Sequence, residues 1–336
     1  MRSRPPLTDF VKYPVTAGIA AMAIAVTVLS KTGRSIDGMT MSVQAFEGEP
    51  WRILTSALPH GDVLHIVFNV LWLWVFGTAV EDTFGPLRTF LAFVLFQIGA
   101  ALGEYALFGG GIGLSGIGYG LFGMLYVLSR RDRRFLGAVD KGTTQMFVGW
   151  FFLCIVLTAT GVMNVGNVAH GEGVLLGGLL GLVLSAHGAA RRIAAGVGIA
   201  VVLAVSLLGA TRFRPLVNVS RDGGADSAVL GYEELVAGHH AEAARRFERA
   251  VASSPGDAAS WYDLGIARDD DLPAALAAYR HAYTLEPADL QYREAFHATL
   301  AQGLALAESR GDTGTAGALK RELDALETPA VRGAAP

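Results

Sequence analysis

The sequence predicts an all-α protein in two parts: a polytopic membrane helical bundle followed by a soluble α-helical repeat domain. Hydrophobic residues make up 52% of the 336 residues and charged residues only 17%, whereas soluble domains average about 25% charged residues. Residues 1–220 carry 16 Lys and Arg against 11 Asp and Glu, and residues 221–336 carry 11 against 19. An apolar, slightly basic front half therefore precedes a polar, acidic tail.

Seven apolar windows in the front half are long enough to cross a bilayer, whose hydrocarbon core of about 30 Å needs about 20 helical residues. The first is predicted to be an anchor rather than a signal peptide, because no convincing small-residue cleavage site follows it and further spans do. Residues 14–190 are expected to form a six-span core, and residues 191–212 a seventh transmembrane helix. The windows lie at about 14–30, 63–80, 88–107, 114–129, 146–163, 168–187 and 193–210.

The distribution of Lys and Arg predicts the orientation of the chain. With the N-terminus in the cytoplasm, the inside segments hold eleven Lys and Arg, and the outside segments near the spans hold five. The cluster RRDRR at 130–134 is interpreted as a topology anchor, and no nucleic-acid partner is expected. Residues 1–13 are therefore expected to be cytoplasmic and the tail to lie outside. The 42 glycines and the excess of Arg over Lys favour a bacterial plasma membrane.

The tail changes to amphipathic helices from about residue 226, and two of its segments align with an offset of 32 residues. The alignment resembles tetratricopeptide repeats, which stack into a concave surface that binds peptides or proteins. A generic pair of helical hairpins is the alternative. The matched positions are Ala243 with Ala275, Phe247 with Tyr279, Ala250 with Ala282, Pro255 with Pro287 and Asp257 with Asp289.

These repeats are predicted to occupy residues 226–327, with 290–327 as a degenerate third repeat or a capping helix. Residues 213–225 are expected to form a linker, and residues 328–336 a disordered tail. No residue of the repeats has a pattern typical of catalysis, so a protein or peptide partner is the role expected of them.

Polar residues inside membrane spans are costly and mark functional sites by default. His65 and Asn69 are four residues apart and share one face of the second span. Ser115 and Tyr119 do the same on the fourth span, and His170 lies near the start of the sixth. With a cytoplasmic N-terminus, all three spans begin on the outer side, so these groups are expected at similar depth.

Small residues on the fourth and sixth spans are expected to let the two helices touch. Gly116, Gly173 and Gly177 remove side chains there, which would bring the Ser115 hydroxyl within reach of the His170 imidazole. A serine beside a histidine is an activated nucleophile: the imidazole takes the hydroxyl proton and returns it to the leaving amine. No Asp or Glu stands at an evident third position, so a dyad is predicted rather than a triad.

Catalysis by such a dyad requires fixed donors for the negative charge that develops on the carbonyl oxygen. The side chains of His65 and Asn69 are expected to supply them, together with backbone N–H groups near Ser115, at Gly113 and Leu114. Tyr119 is expected to pack against the imidazole and hold its orientation. No metal and no cofactor is expected.

The segments HGDVLHIVFN at 60–69, GLSG at 113–116 and AHGEGVLLGG at 169–178 resemble the rhomboid family of intramembrane serine proteases. The similarity covers roughly residues 10–187 and implies that Ser115 is the nucleophile and His170 the base. It also implies an oxyanion site formed by the donors named above.

Further features of the chain resemble the same family. Trp51 and Arg52 would belong to a loop in the outer interface, and the fifth span would form a lateral gate for a substrate helix. Glu81, which also resembles a family feature, is expected to be a structural cap or topology residue at the inner surface.

Four other polar residues have their own expected roles. Glu172 departs from the family pattern and is expected to face away from Ser115 as a snorkelling interfacial carboxylate. Glu104 is also expected to be interfacial, and Cys154 a buried, inert thiol. His60 is left open between a simple loop histidine and a member of the site.

The sequence therefore predicts an endopeptidase that cleaves the transmembrane segments of single-span proteins near the outer membrane face. Transmembrane substrates and the lipid bilayer are its expected partners. The alternative is a catalytically silent membrane protein-binding or chaperone module, which the presence of both Ser115 and His170 disfavours. A transporter would show duplicated halves with broken spans, and no such duplication is evident.

Overall fold

The computed structural model describes residues 6–185, 187–220 and 224–327, which are helical with no strand. The chain divides into two compact units, residues 1–220 and residues 221–336. The boundary falls inside the predicted linker. The predicted disordered tail lies outside the described residues, as do the first five residues of the predicted cytoplasmic segment.

The first unit contains nine α-helices within its described residues. Seven are long, and two are single turns near the loops. Four short 3-10 helices also occur, at Leu7–Lys12, Asp37–Met39, Val43–Phe46 and Arg133–Phe135. The α-helices are α1 (Pro14–Lys31), α2 (Arg52–Thr55), α3 (Val63–Phe84), α4 (Pro86–Leu107), α5 (Ser115–Arg131), α6 (Lys141–Ala159), α7 (Asn167–Ser185), α8 (Ala189–Ala210) and α9 (Arg214–Val217).

Six of these helices, α1, α3, α4, α6, α7 and α8, are long and apolar enough to cross a membrane. They indicate an integral membrane protein. The fourth predicted span corresponds to α5, which is not among the six and has only 17 residues. Twelve of those residues are buried, so α5 is enclosed by protein and does not need the continuous apolar surface of a lipid-facing helix.

Short-range signals fix where the helices around the site begin. The Asp62 carboxylate accepts the N–H of His65 at 2.8 Å and caps α3. Gly85 has φ +79°, a left-handed conformation that favours glycine, and it lets the chain reverse between α3 and α4. Pro86 then occupies the first position of α4, where its missing N–H is not needed.

Helix α5 lies at the centre of the bundle, packed against α3, α4 and α7. A Cβ atom at Gly173 would overlap the carbonyl oxygen of Gly116, and one at Gly177 would overlap that of Gly120. The backbones of α5 and α7 therefore approach closely along a glycine stripe. This contact brings the beginnings of the two helices together.

The first part of the predicted linker packs on the end of α4. The Arg214 guanidinium lies 3.6 Å from the centre of the Tyr105 ring and donates to the Phe108 carbonyl oxygen at 2.8 Å. The Asn218 side-chain amide donates to the same oxygen at 3.0 Å. Residues 214–219 thus belong to the first unit.

The second unit consists, over its described residues, of three successive helix pairs joined by short turns. A Cβ atom at Gly231 would lie 3.0 Å from the Phe247 ring, and one at Gly265 would overlap the Tyr279 ring. The first two pairs therefore share the same contact between a small residue and an aromatic residue. The helices are α10 (Ala225–Val236), α11 (His240–Ser253), α12 (Ala258–Ala267), α13 (Leu272–Leu285), α14 (Leu290–Ser309) and α15 (Thr313–Glu327).

Candidate active site

The predicted nucleophile, Ser115, is the first residue of α5 and is partly buried. Gly113, two residues earlier, has φ +105°, a conformation that favours glycine and directs the chain into the helix. A Cβ atom there would lie 2.9 Å from Nε2 of His65 and 3.3 Å from Cδ2 of His60. Both imidazole rings therefore lie against the backbone that precedes the serine.

His60, which the sequence left open, holds this loop in place. Its ring is only 2% exposed and meets the His65 ring edge to face, with 4.7 Å between centroids. Nε2 of His60 accepts the N–H of Leu114 at 3.3 Å, so Nδ1 carries the proton and donates to the Leu58 carbonyl oxygen at 3.0 Å. Burial, followed by repulsion from His65, lowers the pKa of His60 to about 4, so the ring is neutral at pH 7.

Two of the backbone donors expected in the oxyanion site already have acceptors in the protein. The Gly113 N–H donates to the Ser56 carbonyl oxygen at 2.9 Å, and the Leu114 N–H donates to His60. The N–H groups of the first three residues of α5, Ser115, Gly116 and Ile117, have no carbonyl partners in their own helix. The N–H of Gly118 donates to the Leu114 carbonyl oxygen at 2.9 Å. The side chains of His65 and Asn69 are partly buried, and the His65 ring lies against the backbone that precedes Ser115.

The predicted base, His170, lies in the first turn of α7 and is 3% exposed. The Tyr119 ring stacks on it with a centroid distance of 4.4 Å and an interplanar angle of 22°, and the Tyr119 hydroxyl donates to the Phe147 carbonyl oxygen at 3.3 Å. The Nδ1 atom of His170 is buried and has no hydrogen-bond partner among the described residues. Stacking, rather than a carboxylate, orients this imidazole.

Ser115 and His170, the predicted nucleophile and base, occupy facing turns of neighbouring helices. A Cβ atom at Gly116, next to Ser115, would lie 3.7 Å from the carbonyl oxygen of Ala169, next to His170. Tyr119, one turn after Ser115, touches the imidazole directly. The structure thus brings together residues that are 55 positions apart in the sequence.

The other residues singled out by the resemblance have structural partners. Arg52 is buried and donates to the Glu49 carboxylate and to backbone carbonyl oxygens of the loop before α2. Trp51 is 50% exposed, and its indole N–H donates to the Gly38 carbonyl oxygen at 3.1 Å. Both residues tie together the loop between α1 and α3.

Glu81 caps α1, near the opposite end of α3 from His65. Its two carboxylate oxygens accept the N–H groups of Val15 and Thr16, each at 2.9 Å, and one of them also accepts the Thr16 hydroxyl at 2.7 Å. The 16 residues between His65 and Glu81 correspond to about 24 Å along a helix. Glu81 is therefore remote from the serine and histidine.

Two carboxylates predicted to be interfacial have hydrogen-bond partners on other helices. Glu172 does point away from Ser115, but its carboxylate lies against Gly99 and Gly103 of α4 and accepts the Ser206 hydroxyl of α8 at 2.6 Å. The glycines of α4 leave a space between the helices that this carboxylate fills, a contact that the sequence did not predict.

Glu104 is 5% exposed and accepts the N–H groups of Val168 and Ala169 at 2.9 and 3.0 Å. These partners lie more than 60 residues away in sequence, so this contact could not be predicted from local spacing. A lone acidic residue within an apolar window was the only signal that the sequence offered. Within the described ranges, no group of three or more His, Cys, Asp or Glu side chains could hold a metal ion.

Comparison with known proteins shows which family this part of the chain is similar to. The family model of the rhomboid domain matches residues 47–187, which lie in the first unit and include both Ser115 and His170. Residues 47–187 are therefore similar to a rhomboid domain. This match, together with similar rhomboid proteases from bacteria, indicates an intramembrane serine endopeptidase, a hydrolase.

The particular relatives are bacterial proteins named rhomboid protease GlpG. The protein from Haemophilus influenzae is 27% identical over 174 residues, which cover 50% of this chain and 90% of that protein. The one from Photorhabdus laumondii is 31% identical over 142 residues, covering 41% of this chain and 49% of that protein. The one from Pectobacterium atrosepticum is 30% identical over 177 residues, which cover 50% of this chain and 61% of that protein. The chain thus spans between about half and nine-tenths of the length of these relatives.

Proposed function

We propose that the protein is an intramembrane serine endopeptidase in which Ser115 is the nucleophile and His170 the general base. His170 takes the hydroxyl proton as Ser115 attacks the carbonyl carbon, and then returns it to the leaving amine. Water subsequently attacks the acyl-enzyme by the same route and regenerates the serine. The observation that carries this proposal is the packing of α5 on α7, in which Tyr119 stacks on the His170 ring one turn from Ser115.

The proposed oxyanion site lies where the carbonyl oxygen would sit beside the start of α5. Its donors are the N–H of Ser115 and the side chains of His65 and Asn69. The positive end of the α5 dipole adds to their effect. The Gly113 and Leu114 N–H groups are not included, because each is already bonded within the protein.

The proposed substrates are transmembrane segments of single-span proteins. Helix α6 has the smallest buried share of the six candidate spans, which favours its predicted role as a lateral gate. It reaches α5 through the aromatic contact of Phe147 with Phe122, whose ring centroids are 4.5 Å apart. The Lys and Arg distribution supports cleavage near the outer membrane face, a cytoplasmic N-terminus and an external tail.

We propose a separate role for the second unit as tetratricopeptide-like repeats that bind a protein or peptide partner. The repeated contact of a glycine with an aromatic ring, at Gly231 with Phe247 and at Gly265 with Tyr279, supports this interpretation. Such a partner would tether substrate near the membrane site and raise its effective concentration.

The test of this function is cleavage of a labelled single-span reporter by purified protein reconstituted in lipid vesicles. The wild-type protein should cleave the reporter, and Ser115→Ala and His170→Ala should each lower the rate by at least about 100-fold. Each variant must first show the same thermal unfolding as the wild type. Cleavage that persists in both variants would contradict the proposal. Stable binding of the reporter without cleavage by the wild type would instead favour a silent binding module.

A further inference from the structure

Glu104 is a buried carboxylate that accepts two backbone N–H groups at the beginning of α7. It comes from the last turn of α4, and its partners are the N–H groups of Val168 and Ala169. These residues directly precede His170 in the first turn of α7. Helix N-termini carry N–H groups without carbonyl partners and a partial positive charge, and a carboxylate satisfies both.

Glu104 also lies close to the two loops that lead into the helices of the proposed nucleophile and base. A Cβ atom at Gly111, in the loop before Ser115, would lie 3.4 Å from Cγ of Glu104. One at Gly166, directly before α7, would lie 3.4 Å from the carboxylate. A single side chain therefore lies beside both the loop that precedes Ser115 and the loop that precedes the helix of His170.

We propose that Glu104 is a positioning residue for His170. Its carboxylate fixes the first turn of α7 relative to α4, and thereby fixes the imidazole relative to Ser115. No described residue bonds to Nδ1 of the ring, so the placement of the imidazole depends on the backbone turn and on Tyr119. A displacement of about 1 Å in a reacting group can cost about 100-fold in rate. The inference rests on the proposed function, because it assigns Glu104 a role in that reaction.

The chain offers a matched control in Glu81. Its carboxylate caps the beginning of α1 through two N–H groups, as that of Glu104 caps α7. Glu81 is 4% exposed and Glu104 5%. The two carboxylates cap different helices: Glu81 caps α1, and Glu104 caps α7, which carries the proposed base. Loss of either carboxylate should lower the stability of the protein. Only the loss of the Glu104 carboxylate should slow the chemical step.

The experiment compares Glu104→Gln with Glu81→Gln in the full-length protein in lipid. An amide keeps the shape of the side chain and one acceptor oxygen but loses the charge. Because both N–H groups bond to the same oxygen of Glu104, this variant tests the charge of the cap. A fluorophosphonate probe counts the reactive sites, so that kcat is expressed per competent enzyme and partial unfolding does not affect it. We expect kcat of Glu104→Gln to fall about 10- to 100-fold with KM unchanged. We expect kcat of Glu81→Gln to stay within about twofold of wild type.

The inference is overturned if Glu104→Gln retains wild-type kcat per site, or if Glu81→Gln loses as much. Should Glu104→Gln give no labelled protein, Glu104→Asp decides the question, because it keeps the charge with a shorter reach. An intermediate kcat for Glu104→Asp supports positioning, and a wild-type kcat overturns it. Failure of the proposed function itself would look different, since the wild type and Glu81→Gln would then also fail to cleave.

Discussion

At the scale of single residues, the polar groups around the site are held by neutral hydrogen bonds and ring contacts. His60 accepts the N–H of Leu114, and Tyr119 stacks on His170. A neutral imidazole can accept a hydrogen bond at one nitrogen, whereas a protonated imidazolium cannot. The loop before Ser115 therefore depends on His60 remaining uncharged.

This dependence predicts how stability varies with pH. The pKa of His60 is about 4 in the folded protein and about 6.5 in an unfolded chain. Between these values the unfolded chain binds a proton that the folded protein does not. The free energy of unfolding should therefore fall as the pH drops from 6.5 to 4, by up to about 3 kcal/mol, and this contribution should level off below pH 4.

The control for this prediction is His60→Gln, which retains an acceptor for the Leu114 N–H but does not titrate. Thermal unfolding in detergent micelles between pH 7 and pH 4 measures the effect. The wild type should lose more stability than the variant over this range. Equal losses would show that His60 does not contribute to the pH dependence.

At the scale of helices, the glycine stripe between α5 and α7 positions the candidate site. Gly173 and Gly177 let the backbone of α7 lie directly on the carbonyl oxygens of α5. Side chains at these points would separate the two helices, and so would separate Ser115 from His170. Small residues achieve such backbone contact in membrane bundles without any hydrophobic driving force between helices.

Two adjacent glycines of α7 provide a paired test of this packing. A Cβ at Gly177 would overlap the Gly120 carbonyl, whereas one at Gly178 would meet nothing within 4 Å. Gly177→Ala should therefore lower stability by about 1–3 kcal/mol through overpacking and reduce cleavage. Gly178→Ala should match or slightly exceed wild type in both respects. Thermal unfolding and reporter cleavage, measured on the same samples, check this. Equal behaviour of the two variants would contradict the packing argument.

The sequence predicts the positions of the helices better than it predicts the contacts between them. Apolar length alone locates the six long spans to within a few residues, because the bilayer dictates it. Spacings of four residues place His65 with Asn69 and Ser115 with Tyr119 on shared faces. Contacts between distant segments leave no such local signal. The enclosure of Glu172 therefore could not be read from spacing, and neither could the bonds that occupy the Gly113 and Leu114 N–H groups.

At the scale of the whole molecule, the chain combines two units that each contain a hydrophobic core. The first is centred on α5 and its neighbours, and the second is formed by the helix pairs after residue 224. The rhomboid domain match at 47–187 lies entirely within the first. The proposed chemistry therefore requires only the first unit, while the second is available for binding.

Deletion of residues 226–336 should separate these two roles. Cleavage of a generic single-span reporter should stay within about twofold of the full chain, because the proposed catalytic groups are retained. Cleavage of natural substrates should fall by about 100-fold if tethering supplies their effective concentration. Natural substrates can be identified as membrane proteins whose fragments appear with wild type and not with Ser115→Ala. Equal loss on both kinds of substrate would refute a recruiting role for the second unit.

Reaction of the purified, membrane-embedded protein with a fluorophosphonate probe identifies the nucleophilic serine directly. Mass spectrometry then locates the modified residue without any known substrate. The account predicts stoichiometric modification of Ser115, no modification of Ser115→Ala, and labelling of His170→Ala slowed by about 100-fold or more. Modification of a different residue in the wild type would contradict the account, and so would equally fast labelling of His170→Ala.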